Sequence, residues 1–351
     1  MKTSQQTSRL TTTEDEFGMR NSGTTFGHKQ RGGLHRAMEY GALGWQEAVV
    51  LGCAKHEGFL EAVADSSRSA DEVAKQLGVN PRAVYALLSA LAELGVLAED
   101  RNKFRLLEEH RGPLLDRSHP DYAGGLVVHR FELIRRWGRM PEILKTGSPI
   151  EDDPEQGPEG KETFIYSMRR LAKPGVRAVA ELLLSRLPEN PHILDVGGGP
   201  GTYAEALAEG GAQVTVFDLP EVTELMKDHL TAAGISAIGG DFNEGLPEGP
   251  FDAAYLGSVS HIYGPEENLA LINRVAGSLA PGGHIAIRDF IRGLSKGAAL
   301  FAVNMLVNTE SGNTYSEEEY RGWLSTAGFE GIEVLPIPER DTHFILARKP
   351  G

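Results

Sequence analysis

Three acidic residues in the second half of the chain each stand at or near the end of an apolar run. They are Asp195, Asp218 and Asp241. The runs predict buried parallel strands, whose carboxyl ends meet at one edge of a sheet, so the three carboxylates should lie near one another. A carboxylate such as Asp218 can accept hydrogen bonds from both hydroxyls of a ribose, and the ring of Phe242 suits the face of an adenine. The pattern predicts a nucleotide-like ligand; a coincidence of three structural acids is the alternative.

A glycine-rich segment directly follows the first of these acids, with Gly197, Gly198 and Gly199 in a row and Gly201 after one proline. Glycines allow the backbone to turn tightly and to approach a ligand closely. Alone, such a loop is also compatible with NAD, with FAD or with an ordinary turn. The spacing Gly-x-Gly-x-Gly differs from the Gly-x-Gly-x-x-Gly of dinucleotide-binding proteins. Together with Asp195 two residues earlier, it argues against the dinucleotide class.

Apolar runs of strand length alternate with helical segments from Pro191 onward. The runs are His192–Val196, Ala212–Leu219, Ala237–Phe242, Phe251–Val259, His284–Ile291, Ile332–Pro338 and Thr342–Arg348. Such alternation predicts a parallel sheet covered by helices. Only three residues separate the last two runs, and a connection that short requires an antiparallel hairpin. The second half is therefore predicted to be an α/β, Rossmann-like domain whose seven-stranded sheet has an antiparallel last strand.

The first half is predicted to be mainly helical, because apolar residues recur at three- and four-residue spacing between about residues 35 and 115. Ser69 and Glu72 form a capping-box pattern at the start of a short helix, and a second helix follows at Arg82–Leu94. Two short apolar runs around a polar turn, within residues 95–106, suit a β-hairpin. These elements predict a winged-helix-like domain.

A winged helix can recognise DNA, or it can serve as a scaffold for helix packing and dimerisation. The formal net charge of −14 and the pI near 5.3 mean that the average surface repels phosphate. The second helix offers Arg82 and a largely apolar surface in place of several base-reading side chains. We therefore expect a packing role and no nucleic-acid partner.

The length of 351 residues is enough for two domains. We predict a flexible tail over residues 1–27, a helical domain over 28–150, a linker and connecting helix over 151–187, and a ligand-binding domain over 188–351. A single cysteine, Cys53, cannot close an intramolecular disulfide, and no Cys/His spacing matches a structural zinc site. No apolar stretch resembles a signal peptide or reaches membrane-spanning length. A cytoplasmic protein without a membrane partner is expected.

Five short motifs together carry a resemblance to a known family. They are Asp195–Gly201, Phe217–Pro220, Gly240–Phe242, Ala280–Gly283 and Ala327–Phe329. They resemble the small-molecule O-methyltransferases of the caffeic acid and hydroxyneurosporene type, which are class I enzymes that use S-adenosyl-L-methionine. The resemblance covers most of the chain. It implies that cofactor, S-adenosyl-L-homocysteine as product, a small-molecule acceptor, and a homodimer formed by the winged-helix-like domain. No metal ion is expected.

The resemblance assigns the cofactor contacts to the strand ends. Gly197 and Gly199 would line the methionine portion, Asp218 would hold the ribose, and Asp241 with Phe242 would flank the adenine. The complete predicted set is Asp195, Gly197, Gly198, Gly199, Asp218, Leu219, Asp241, Phe242 and Ser258.

The resemblance also places the general base at His261. A neutral imidazole can remove a hydroxyl proton, since histidine titrates near neutral pH; a structural histidine is the alternative. Two positions depart from the plant-type pattern. Ile262 stands where those enzymes have an acid directly after the histidine, and Thr314 stands where they have the glutamate that orients the histidine. Without those partners His261 is expected to be less firmly oriented and a weaker base.

The residues that the resemblance assigns to the acceptor pocket are apolar or amide side chains. They are Phe164, Met168, Met305 and Asn308, with Phe131 from the helical domain. Met and Phe at such spacing also fill ordinary cores, which is the alternative.

Three hypotheses follow. The first is a methyltransferase acting on a small molecule, most simply on oxygen, although sulfur, nitrogen or carbon can accept a methyl group by proximity without a strong base. The second is a cofactor-binding relative with other chemistry. The third is a DNA-binding regulator that senses a ligand, which the acidic charge disfavours.

Overall fold

The structure is a computed structural model that describes residues 44–150, 158–173, 175–338 and 340–351. The predicted tail, residues 1–27, lies outside this part of the chain. Residues 48–351 form one compact unit. None of the described helices combines the length and the apolar character needed to cross a bilayer.

The N-terminal part of the described chain is mainly helical, as predicted. Its helices are α1 Gly44–His56, α2 Phe59–Ala62, α3 Ala70–Leu77, α4 Pro81–Glu93, α5 Glu108–Leu115, α6 Gly124–Trp137 and α7 Met140–Thr146. Helix α3 begins at the predicted capping box, in which the Ser69 hydroxyl accepts from the Glu72 N–H and the Glu72 carboxylate accepts from the Ser69 N–H. Helix α4 begins with the Asn80 side chain accepting from the N–H groups of the first turn.

The strands of a small antiparallel sheet flank helices α3 and α4 in the chain. Its strands, β1 Arg68–Ser69, β2 Leu97–Asp100 and β3 Lys103–Leu106, lie in the order β1-β3-β2. Arg101 and Asn102 both have positive φ (49° and 61°), as a two-residue hairpin turn requires. The helix pair and the hairpin match the winged-helix pattern predicted from the sequence.

The C-terminal part alternates strands and helices. Its helices are α8 Pro158–Ala172, α9 Val176–Leu184, α10 Thr202–Glu209, α11 Pro220–Ala232, α12 Pro265–Ser278, α13 Ala298–Asn308 and α14 Glu317–Thr326. Its long strands are β4 His192–Val196, β5 Gln213–Asp218, β6 Ser236–Gly239, β7 Phe251–Gly257, β8 Leu279–Asp289, β11 Glu330–Pro336 and β12 His343–Arg348. The short strands β9 Ile291–Arg292 and β10 Tyr315–Ser316 pair in parallel.

Within the described residues the long strands form a seven-stranded sheet in the order β11-β12-β8-β7-β4-β5-β6. Strand β12 is antiparallel to both neighbours, and the other pairs are parallel. The predicted fold class is therefore confirmed. Successive residues alternate between the two faces, so that Leu194 and Ile287 enter one core while Ile193 and Ala286 enter the other.

Strand β6 is shorter than predicted and ends at Gly239. A Cβ at Gly240 would lie 2.6 Å from the ring of Phe217, so the chain passes closely over strand β5 as it leaves the sheet. Asp241 and Phe242 consequently belong to the turn after the strand and not to the strand itself.

Candidate active site

The glycine loop between β4 and α10 is held in backbone conformations that favour glycine. Gly197, Gly199 and Gly201 have φ of 68°, 49° and 73°. A Cβ at Gly201 would lie 2.4 Å from Cδ2 of Leu230. The Gly197 N–H donates to the carbonyl of Phe217 at 2.8 Å, which fixes the loop to strand β5. The loop therefore presents bare backbone at the carboxyl edge of the sheet.

Asp218, the last residue of β5, connects this loop to the next helix. Its Oδ2 accepts from the Gly199 N–H at 2.7 Å, and its Oδ1 accepts from the Leu219 N–H at 2.7 Å. Burial raises the pKa of Asp218, and the two N–H groups oppose that shift. Each carboxylate oxygen keeps a second lone pair for a ligand hydroxyl.

Asp241 and Phe242 form the far side of the same site. The Asp241 carboxylate accepts from the Asn243 N–H at 2.8 Å and so stabilises the turn. The Phe242 ring meets the ring of Tyr263 edge to face at 5.7 Å. A Cβ at Gly197 would lie 3.5 Å from Cε1 of Phe242, so an aromatic ring lies beside the glycine loop.

Asp195 and Ser258 lie closer to the sheet. Burial, and then the negative charge of Asp218, raises the pKa of Asp195 to about 7. Ser258 follows strand β7 with φ of 65°, an uncommon conformation for a serine. Its N–H donates to the Arg288 carbonyl at 2.9 Å, and its hydroxyl accepts from the Arg288 guanidinium. Ser258 thus meets the adjacent strand β8.

His261 lies on the 3₁₀ turn Ser260–Ile262 and is only 8% exposed. Its Nδ1 lies 2.7 Å from Oδ1 of Asp289, and its backbone N–H donates to Oδ2 at 3.1 Å. Asp289 is completely buried and also accepts from the Phe290 N–H at 2.8 Å. Since a carboxylate only accepts, we assign the proton to Nδ1, which leaves Nε2 as the nitrogen with a lone pair.

Asp289 is the functional residue that the sequence reasoning missed. The expected partners are indeed absent, because Ile262 is 40% exposed and the Thr314 hydroxyl donates to the Ala298 carbonyl. The expectation that His261 is therefore weakly oriented is corrected by its hydrogen bond to Asp289. A signal was present, since Asp289 is a fourth acid near the end of a predicted strand.

Helix α13 carries two further predicted residues and contacts the turn that bears His261. Phe301, which the sequence reasoning did not single out, meets the imidazole edge to face at 4.8 Å and stacks on Phe290 at 4.4 Å. Met305, one turn later, is buried. Asn308 accepts from the Arg136 guanidinium at 3.1 Å. Helix α13 therefore connects the histidine with helix α6.

The remaining predicted acceptor residues divide into two groups. Phe164, 46% exposed, meets His129 of α6 edge to face at 5.5 Å, and the half-buried Met168 follows one turn later on α8. Helix α6 contacts both α8 and α13. Phe131, by contrast, packs on helix α1, where a Cβ at Gly52 would lie 2.4 Å from its Cβ. The structure does not bring Phe131 towards Phe164.

Comparison with known proteins identifies the family. Residues 158–330 match a family described as an O-methyltransferase domain. The chain is 30% identical over 299 residues to a tetracenomycin polyketide synthesis 8-O-methyl transferase of Streptomyces glaucescens, covering 80% of this chain and 86% of that protein. It is also 30% identical over 334 residues to the 3-hydroxy-5-methyl-1-naphthoate 3-O-methyltransferase of Streptomyces sahachiroi, covering 87% and 92%. The chain belongs to the O-methyltransferase family.

Solved structures share the fold of this O-methyltransferase. PigF with SAH superposes with a TM-score of 0.73 at 24% identity, covering 90% of this chain and 99% of that one. Human N-acetylserotonin methyltransferase in complex with SAM superposes with a TM-score of 0.69 at 22% identity, covering 95% and 100%.

The methyltransferase thus combines two features at one edge of its sheet. One is a glycine loop flanked by carboxylates and an aromatic ring, which suits an adenosine-containing cofactor. The other is a buried imidazole whose orientation is fixed by a carboxylate, which suits removal of a proton from a hydroxyl group.

Proposed function

We propose that this O-methyltransferase transfers the methyl group of S-adenosyl-L-methionine to a hydroxyl oxygen of a small aromatic acceptor, with His261 as the general base. The observation that carries the proposal is the 2.7 Å contact between His261 Nδ1 and Asp289 Oδ1. It fixes the ring and selects the tautomer whose Nε2 can take a proton.

The cofactor roles follow the strand ends. Gly197 and Gly199 line the methionine portion, Asp218 holds the ribose hydroxyls, and Asp241 with Phe242 flanks the adenine. Four further residues complete the proposed cofactor site: Asp195, Gly198, Leu219 and Ser258. Support comes from the bare backbone of the loop, the unused lone pairs of Asp218 and the position of the Phe242 ring beside Gly197.

When bound, the cofactor supplies a methyl group on a positively charged sulfur, which leaves as a neutral thioether. His261 Nε2 takes the hydroxyl proton of the acceptor, and the electron pair of the O–H bond becomes available to form the O–CH₃ bond. Asp289 accepts the Nδ1 proton in a hydrogen bond and stabilises the imidazolium that forms. The buried position of both groups strengthens this interaction.

An aromatic acceptor is supported by the two Streptomyces relatives, whose names specify a polyketide and a naphthoate. Phe164 and Met168 on α8, with Met305 and Asn308 on α13, are proposed to line its pocket. We omit Phe131, because its ring packs on α1.

Methylation of sulfur, nitrogen or carbon needs no base oriented in this way, so the His261–Asp289 pair favours oxygen over those acceptors. The same pair favours a methyltransferase over a cofactor-binding relative with other chemistry.

In the proposed organisation, the domain of residues 28–150 serves dimerisation and the domain of residues 188–351 serves catalysis. Residues 151–187 connect the two. The homodimer and the cytoplasmic location stay predictions.

The proposal is tested by calorimetric titration of the wild type and of Asp218→Ala with S-adenosyl-L-methionine. A matched control is Asp252→Ala, whose carboxylate accepts from the His192 N–H at the opposite end of the sheet. A panel of hydroxylated naphthoates is then screened for formation of S-adenosyl-L-homocysteine. Micromolar binding that Asp218→Ala alone abolishes, followed by turnover, supports the proposal. Failure of the wild type to bind the cofactor contradicts it.

A further inference from the structure

Four buried polar atoms lie close together beneath the glycine loop, and three of them have no hydrogen-bond partner among the described residues. The three are Asp195 Oδ2, Tyr203 Oη and Arg288 Nε; the fourth, Tyr255 Oη, interacts with the Arg288 guanidinium. Buried polar groups in native proteins almost always have a hydrogen-bond partner, and each group without one lowers the stability of the fold by about 1–3 kcal/mol. Three unpaired polar atoms in one place therefore indicate a polar ligand that belongs there.

The four side chains are direct neighbours. Asp195 and Tyr255 pair across strands β4 and β7. The rings of Tyr203 and Tyr255 are 5.2 Å apart, and the guanidinium carbon of Arg288 lies 5.1 Å from the Tyr203 ring centroid. The first residues of α10 and the ends of three adjacent strands thus enclose one polar cluster.

Arg288 gives this cluster its charge. Arg288 is only 8% exposed, and a guanidinium stays protonated at any working pH. The negative charge of the adjacent Asp289 acts on the guanidinium, but its carboxylate points at His261, and no Asp or Glu in the described parts of the chain forms an ion pair with Arg288. A buried cation without a paired anion is costly, so the site favours an anionic ligand.

The cluster lies directly under the proposed cofactor position. The Arg288 guanidinium donates to the Ser258 hydroxyl. Val259 follows Ser258 in the chain, and its Cγ2 would lie 2.9 Å from a Cβ at Gly197. A Cβ at Gly198 would lie 2.8 Å from Asp195 Oδ2. The guanidinium therefore stands at the level of the glycines that are proposed to line the methionine portion.

We propose that Arg288, with the hydroxyls of Tyr203 and Tyr255, binds the α-carboxylate of the methionine portion of S-adenosyl-L-methionine. The proposal rests on the proposed function, which supplies the cofactor. A guanidinium and a carboxylate form short, charge-assisted hydrogen bonds, and tyrosine hydroxyls can donate to the remaining lone pairs. The bound carboxylate would supply the anion that Arg288 lacks.

The test compares two ligands that differ only in this group: S-adenosyl-L-methionine and its decarboxylated analogue, which keeps the amine. By calorimetry, wild type is expected to bind the complete cofactor about 10- to 100-fold more tightly, the range for hydrogen bonds to a charged group. Arg288→Met should lose that preference by weakening only the binding of S-adenosyl-L-methionine. Arg292→Met, which breaks an exposed ion pair with Glu319, is the matched control and should keep it.

Two results would overturn the carboxylate site. One is equal affinity of wild type for both ligands, and the other is an equal loss of affinity for both ligands in Arg288→Met. If Arg288→Met does not fold, Arg288→Lys takes its place, because it keeps the charge but not the planar guanidinium. The comparison of the two ligands on wild type needs no variant. Failure of wild type to bind either ligand would instead contradict the proposed function.

Discussion

Replacing Asp289 by asparagine isolates the contribution of the carboxylate that orients His261. Three N–H groups point at this carboxylate: Nδ1–H and the backbone N–H of His261, and the backbone N–H of Phe290. Asparagine has one accepting oxygen, so in either amide orientation at least one donor faces an NH₂ group. The substitution also removes the negative charge that stabilises the imidazolium.

The expected size of the effect follows from these contacts. A buried hydrogen bond to a charged group contributes about 1.5–3 kcal/mol, and the donor left facing another donor adds to the loss. We expect a total of about 2–4 kcal/mol in the transition state, which is about a 30- to 1000-fold decrease in the single-turnover rate constant. The hydrogen bonds of Asp289 do not reach the glycine loop, so cofactor affinity should be preserved.

The assay is single-turnover formation of S-adenosyl-L-homocysteine with the phenolic acceptor that the screen identifies, alongside calorimetry with the cofactor. Asp252→Asn is the matched control, because its carboxylate also accepts from a backbone N–H but lies away from the site. An Asp289→Asn enzyme that turns over as fast as wild type, with normal cofactor binding, would refute the role assigned to the His261–Asp289 pair.

Three further predictions concern stability. The pKa of Asp195, raised to about 7 by burial and then by Asp218, means that the folded ligand-free protein holds a proton which the unfolded chain releases near pH 4. About 4 kcal/mol of stability should therefore be present below pH 4 and be lost by pH 7, and Asp195→Asn should abolish this loss in urea unfolding. Gly201→Ala places a Cβ 2.4 Å from Leu230 at φ 73° and should cost about 1–3 kcal/mol, seen as a lower Tm. Ser69→Ala removes a helix cap and should cost about 1 kcal/mol in the same measurement.

Each of these predictions has a result that contradicts it. Stability profiles of Asp195→Asn and wild type that run parallel between pH 4 and pH 7 would show that Asp195 does not hold the proton. Gly277→Ala is the control for the loop glycine, since a Cβ there has open space around it; an equal effect at both positions would rule out a conformational cause. An unchanged Tm for Ser69→Ala would mean that water replaces the cap.

The succession of strands along the chain and the position of the glycine loop could be predicted from the sequence, because both depend on local signals. Runs such as Phe251–Val259 are mainly apolar, as is typical of strands buried on both faces. The three residues between the last two strands allowed only an antiparallel hairpin. The winged-helix pattern likewise came from a capping box and a short polar turn, which act within a few residues.

The parts that could not be predicted depend on contacts between distant residues. His261 and Asp289 are 28 positions apart, and only the pairing of β7 with β8 brings them together. The end of β6 depends on the close passage of Gly240 over Phe217. The packing of Phe131 on α1 reflects which face of α6 meets each neighbour, and residue spacing alone does not contain that information.

The most direct test of the account is a reaction with S-adenosyl-L-methionine carrying a ¹³C-labelled methyl group, followed by carbon NMR of the product. A labelled methyl on a phenolic oxygen is expected, with product formation lost in His261→Ala while cofactor binding remains. A labelled methyl on carbon, nitrogen or sulfur, or full activity of His261→Ala, would contradict it.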